Sequence, residues 1–321
     1  MTESDAPDHS VHRSFAFQLL NPKALRDYRP MILKLVEELI DSFIDQGEVE
    51  FVSGFASKLP ALVTARMAGF PNSLLEDSHA WGQIEASGAP FLPPEKYEEH
   101  LRARDSMVEY VRSAIEARAD HPPDDGIGKL IKLQVERDGQ FNLPYVRAQA
   151  AVLLAGGTTT TAHMLGMGLL LLIRRPEVLR RVSEDKTLIR LFLDEALRVE
   201  APVQWVPRRV AQDVELGGVK IPAGSHVFLG WGSANRDETV FENPDAFDID
   251  RDATHKHVSF GHGPHACLGL PLARLELTIA FEQLLTRLKD IRLKPGAEPR
   301  HIDSPSFRGL RSLPITFRRT A

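Results

Sequence analysis

Residues 258 to 274, VSFGHGPHACLGLPLAR, hold the only cysteine of a 321-residue chain. A lone thiol is most often an inert buried residue. This one, Cys267, stands among Gly261, Gly263 and Gly269, with His262 and His265 beside it and Pro271 where a helix would begin. Two kinds of chemistry compete with the inert reading. His262, His265 and Cys267 could bind zinc, although a structural zinc site needs a fourth ligand in a closed arrangement. A thiolate could instead hold a haem iron, with the glycines letting backbone lie against a flat macrocycle. Pro271 belongs in the first turn of a helix, so Cys267 sits at a helix N-terminus, whose dipole and free N–H groups stabilise a thiolate.

Other residues carry weaker signals. His9 and Arg13 lie four apart on a helix and share a face, where two cations gain from an anion between them. Without that anion they read as an ordinary solvated pair. In LLAGGTTTTAHMLG, residues 153–166, two glycines inside a helix cost about 1 kcal/mol each relative to alanine, which makes sense where a ligand approaches the backbone. Thr160 is four residues after Gly156, so its hydroxyl can bond that carbonyl and open the helix locally, leaving room for a small molecule. The plain alternative is threonines packed against a neighbouring helix. Glu195 and Arg198 lie three apart on one face, the spacing of a surface ion pair.

These residues need a scaffold, and the chain is long enough to bury one. It is 43% hydrophobic and 26% charged with net charge -5. That balance, with no Lys/Arg block, argues against a nucleic-acid partner. Ala148 to Ile173 is free of Asp, Glu, Lys and Arg, and its length would span a membrane. Its glycines, threonines, Gln149 and His163 make a buried central helix the better reading, so no membrane partner is expected. One cysteine allows no intrachain disulfide and MTESDAPDHS is polar, so the default compartment is a reducing cytoplasm.

Apolar residues recur at helical spacing through 23–45, 100–120, 144–175 and 183–200, with Pro71, GAPFLPPEK (88–96) and HPPDDGIG (121–128) as punctuation. After Pro202 the pattern turns to β, and VELGGVKIPAGSHVFLGW (214–231) reads as a hairpin turned at Gly217-Gly218. A long irregular stretch leads to Cys267, then a helix over PLARLELTIAFEQLLTRL (271–288) and short strands. The expected class is mainly α with minor β. A single domain over 1–321 is expected, mostly helical in 1–200, with the hairpin, cysteine loop, last long helix and C-terminal strands in 201–321.

FGHGPHACLG, Phe260 to Gly269, resembles the haem-binding loop of the cytochrome P-450 monooxygenases of the bacterial soluble type, as does the LAR that follows. The resemblance implies the P-450 fold, haem b (iron protoporphyrin IX) as cofactor and Cys267 as axial ligand to the metal, with Phe260, Gly261 and His265 in the same loop against the haem. Its thiolate donates electron density through iron and favours O–O cleavage. LDEALR matches the family's Glu-x-x-Arg, with Arg251 completing a buried triad that holds the cysteine segment. RRVAQDVELGGVKIPAG matches the haem-flanking hairpin, which makes Arg208 a propionate ligand with Asp213 as marker. DAPDHSVHRSF resembles helix C, so His9, Arg13, Arg208 and His265 would together serve two haem carboxylates.

Counting back from Pro176 places Gly156-Gly157 at the family's small-residue pair on the oxygen-side helix and Thr160 at the oxygen-contacting threonine. The preceding position is normally an acid that helps relay protons; here it is Thr159, which can pass a proton but not supply a charge. The implied activity is insertion of one oxygen atom from dioxygen into a small hydrophobic substrate, contacted from Leu153 to Thr160, Pro202 to Trp205 and Ser306 to Leu310. Electrons would come from a ferredoxin-type donor with a separate reductase, as no flavin or nicotinamide fingerprint is visible. Helix C falls at about residue 9, so the family's first portion is expected to be missing. A haem-binding protein with impaired or no monooxygenase turnover is the alternative that follows.

Overall fold

A computed structural model describes residues 4–70, 94–252 and 254–320. Pro71 and most of the 88–96 break lie outside the described residues. Helices α1 (Asp8–Leu20), α2 (Pro22–Asp41) and α3 (Lys58–Ala68) open the fold, followed by α4 (Pro94–Glu116), α5 (Gly126–Asp138), α6 (Leu143–Ile173), α7 (Pro176–Glu184) and α8 (Ile189–Val199). The last long helix is α9 (Leu270–Arg287). Local chemistry sets these boundaries. Asn21 accepts hydrogen bonds from the N–H groups of Lys23 and Ala24, with Pro22 opening α2. Asn142 does the same for Tyr145 at the start of α6, and Gly69 ends α3 in the left-handed region at φ 88°. Free donors at a helix start need such a cap, and glycine alone takes positive φ without cost.

Helix α6 forms the axis of the molecule. Its second half from Met164 to Leu172 is buried on every side, the mark of a helix running through a core rather than over it. It packs against α3, α4, α5, α8 and α9. Among the described residues no helix is long and apolar enough to cross a membrane. The region anticipated as one helix over 183–200 is split at Asp185, whose carboxylate caps a short turn before α8 begins.

The β part is minor and antiparallel. Strands β1 (Glu48–Glu50), β2 (Trp205–Arg209), β3 (Val214–Leu216), β4 (Val219–Ile221), β5 (His226–Gly230), β6 (Leu288–Leu293), β7 (Arg300–His301), β8 (Leu310–Ser312) and β9 (Pro314–Arg319) form one three-stranded sheet, β1-β9-β6, and three ribbons. The expected hairpin is present as β3–β4, with Gly217 and Gly218 both at positive φ. Its expected extension to residue 231 is not part of that hairpin: β5 pairs with β2, Trp205 opposite Gly230.

Candidate active site

The cysteine loop is held from three sides. Arg198, fully buried, forms a two-pronged pair with Glu195 at 2.8 and 2.7 Å and donates to the carbonyls of Asn235, Pro244 and Ala246. Arg251 Nε reaches Glu195 Oε1 at 3.3 Å, and the Asp248 N–H donates to the same oxygen. The triad is therefore a buried network rather than a surface pair. Asn235 passes the restraint on, because its side chain accepts from the Val258 N–H and donates to Ser259 Oγ, each at 2.7 Å. Arg274, the arginine of LAR, pairs with buried Asp194 at 2.7 Å and lies 6.0 Å from the Phe260 ring centre.

Within the loop, the Cys267 N–H donates to the Phe260 carbonyl at 2.7 Å and Gly261 turns at φ 70°, where a Cβ would press on Trp231. Cys267 precedes α9 by three residues, and its sulfur accepts from the N–H groups of Gly269 and Leu270. Burial pushes its thiol up; those two N–H groups and the Arg13 charge oppose the rise. The sulfur is exposed to a cavity rather than packed away.

That cavity measures about 300 Å³. His9 and Arg13 border it from α1, Gly156, Gly157 and Thr160 from α6, and Phe260, His265 and Cys267 from the loop. The structure therefore brings together eight of the anticipated site residues from three distant parts of the chain. Thr160 Oγ1 bonds the Gly156 carbonyl at 3.2 Å, as its four-residue spacing allows. The His9 and His265 rings stand 4.1 Å apart, and His265 lies 4.0 Å from Asp5. Burial first, then the neighbouring His265 and Arg13, hold the His9 pKa below its ordinary value.

Gly261 supports the loop without bordering the cavity. Thr159 is buried off the cavity, and its hydroxyl has no partner. Arg208 lies outside the cavity on the exposed β2–β5 ribbon, donating to the Pro207 carbonyl at 2.8 Å. Pro202 and Val203 line the cavity, whereas Ser306 to Leu310 do not; they brace the former through Gln204 N–H to Ser306 and Arg308 N–H to Pro202.

Among the lining residues that the sequence reading did not name, two stand out. Trp231 lines the cavity, and nothing in its sequence setting marks it. Glu276 lines it too, and a signal existed: an acid between Leu275 and Leu277 in the apolar part of a helix.

The donor set suits a flat, anionic, iron-bearing macrocycle. One thiol sulfur faces the cavity, three basic side chains gather at it with Asp5 beside His265, and at Gly156 an added Cβ would meet no atom of the described residues within 4 Å. Gly157 differs, since its Cβ would lie 2.9 Å from Thr64 Oγ1. Gly156→Ala should therefore raise apoprotein stability by about 1 kcal/mol through helix propensity while weakening haem uptake. Gly157→Ala should lose about 1 kcal/mol net, as crowding outweighs propensity. Urea midpoints and haem titrations of the two variants separate these outcomes. Among the described residues no three His, Cys, Asp or Glu side chains cluster to hold a metal ion, so the zinc reading lacks its ligands.

Comparison with known proteins agrees with this donor set. The family model "Cytochrome P450" matches residues 72–317. The biotin biosynthesis cytochrome P450 of Bacillus subtilis is 35% identical over 99% of this chain and 80% of its own length. The 6-deoxyerythronolide B hydroxylase of Saccharopolyspora erythraea is 33% identical over 93% of this chain and 72% of its own. The crystal structure of P450BioI with a hexadec-9Z-enoic acid-ligated acyl carrier protein superposes with a TM-score of 0.91 at 32% identity, covering 99% of this chain and 82% of that one. The chain belongs to the cytochrome P450 family and is a haem-thiolate monooxygenase of the bacterial type, with haem b as its cofactor.

Proposed function

We propose that this monooxygenase oxidises a hydrophobic chain-like substrate held against α6, as a single domain in the cytoplasm, with electrons from a ferredoxin whose reductase is a separate protein. One observation carries the reading: a single cavity is bordered by the Cys267 sulfur, the Thr160 hydroxyl and apolar side chains such as Leu153, Met164 and Val203. When bound, haem b supplies the oxidant that attacks a C–H bond. Cys267 would hold it from the loop, and His9, Arg13 and His265 would receive its carboxylates; Arg208, outside the cavity on the ribbon, would join them only with its side chain turned inward.

The apolar lining displaces water from the substrate and orients the C–H bond to be oxidised. Thr160 bonds the Gly156 carbonyl within a continuous α6 and would move protons at Oγ1; Thr159, lacking a carboxyl, gives that hydroxyl no acid to draw on. The relative seen with a hexadec-9Z-enoic acyl chain makes that fatty acid the first substrate to try. Supplied with dioxygen, a nicotinamide, reductase and ferredoxin, the haem-loaded protein should add one oxygen atom to it, labelled when the gas is ¹⁸O₂. Product without label, or turnover independent of the ferredoxin, contradicts the reading.

The threonines give a further expectation. Thr160→Ala should lower product formed per electron consumed and raise hydrogen peroxide release, while Thr159→Asp should raise product yield. Positioned proton transfer is worth roughly 10²–10⁴-fold, so both effects are measurable. If only Thr159→Ala and not Thr160→Ala uncouples the protein, the register is wrong.

A further inference from the structure

Helix α1 presents His9 and Arg13 to the cavity opposite His265, so three basic side chains converge there. Burial first, then the charges of His265 and Arg13, depress the His9 pKa, and the exposed Asp5 opposes them least. Before an anion enters, like charges this close work to drive α1 off the cysteine loop. The restraint lies on a neighbouring face of the helix. His12 Nδ1 meets Gln149 Nε2 at 2.7 Å, joining α1 to α6 across 137 positions of chain. Among the described residues this is the one side-chain hydrogen bond from α1 to another helix or strand. The His12 ring also stacks on Tyr145 of α6, ring centres 5.0 Å apart, and the Arg137 guanidinium of α5 lies 4.3 Å from the same Tyr145 ring centre. Burial lowers the His12 pKa, so at neutral pH the uncharged ring can accept the amide N–H.

Gln149 does not stand there for stability. It is 2% exposed and its Oε1 has no partner, and turning the amide over would leave the nitrogen unpaired instead. A buried amide with one atom unpaired carries a cost that leucine would avoid, which makes sense where the bond holds something in place. We propose that the His12–Gln149 pair is the clamp that sets α1 at the haem carboxylates, making His12 and Gln149 positioning residues for His9 and Arg13. The inference rests on the reading of His9 and Arg13 as carboxylate partners. His12 follows His9 by three residues and directly precedes Arg13, so a shift of α1 at His12 moves both basic groups together. Neither member of the pair borders the cavity, so they act there only through the helix they join. Bases held against the carboxylates offset negative charge that would otherwise favour oxidised iron, so the clamp also raises the reduction potential.

The test compares the haem-loaded full chain as wild type, His12→Leu/Gln149→Leu, His12→Asn and Arg13→Ala. The double leucine variant leaves no unpaired polar atom at the pair, so its apoprotein should have a urea midpoint at or above that of the wild type. It should nonetheless lose ferric haem to excess apomyoglobin roughly tenfold faster, the factor to which the net worth of one hydrogen bond converts. Its reduction potential should fall. His12→Asn keeps an acceptor near the Nδ1 position and should restore most of both properties. A double variant with wild-type haem loss and potential overturns the proposal. So does one whose apoprotein is less stable than the wild type, because the pair would then be structural, or a His12→Asn protein no better than the double variant. Arg13→Ala should speed haem loss at least as much. If it leaves haem loss unchanged, the carboxylate reading itself falls, whereas faster loss in Arg13→Ala beside an unchanged double variant removes the clamp alone.

Discussion

Cys267→Ser should load little haem, and what it loads should lack every spectral sign of a thiolate ligand, while the helix content stays near that of the wild type. The sulfur is the only one of its kind in the chain, and the loop around it is held by bonds that do not involve it. Serine keeps the Cys267 N–H to Phe260 carbonyl bond and the turn at Gly261, so the fold does not depend on the substitution. An alkoxide does not form at neutral pH as a thiolate does, so the ligand itself is lost. Circular dichroism and haem content per chain read the two halves of the expectation. A Cys267→Ser protein that kept the thiolate signature would remove Cys267 from the site.

Arg198→Ala should be the most destabilising single change. Its guanidinium satisfies both Glu195 oxygens and three carbonyls in a place where no water reaches. Removing one partner of a buried pair costs about 3–5 kcal/mol, because the other charge stays buried. Arg251 softens the loss at Glu195 but cannot replace the bond to the Asn235 carbonyl. Because Asn235 also fixes Val258 and Ser259, the cysteine loop should loosen before the helices melt. The measurements are the urea midpoint and haem retention on gel filtration. Arg198→Lys should lie between the two, since an ammonium cannot make the two-pronged pair. An Arg198→Ala protein with wild-type stability and haem content would show that the network does not hold the loop.

Much of this site was legible in the chain because its signals are local. Cys267, the glycines of its loop and Pro271 lie within a few residues, and the Thr160 to Gly156 bond is a four-residue helix spacing. His9 and Arg13 could be paired from spacing, whereas His265 was joined to them only through the family resemblance; the structure sets the His9 and His265 rings 4.1 Å apart. Assignments that depended on side-chain direction fared differently. Arg208 was placed by motif, yet the structure leaves its long side chain on an exposed ribbon. Ser306 to Leu310 were expected at the substrate and instead brace Pro202 and Gln204 through backbone bonds. Strand β5 pairs with β2 across an intervening hairpin, a non-local choice that turn chemistry at Gly217-Gly218 does not reveal. Glu276 stood in plain view, but its meaning depends on burial, which only the packed helix supplies.

The absorption spectrum of the reduced, carbon-monoxide-bound wild-type protein tests the central claim most directly. A thiolate from Cys267 should move the Soret band far to the red of its position with a histidine or water ligand. Absence of bound iron porphyrin, or a carbonyl band at the unshifted position in freshly prepared protein, would contradict the assignment of Cys267 and of the cavity it faces.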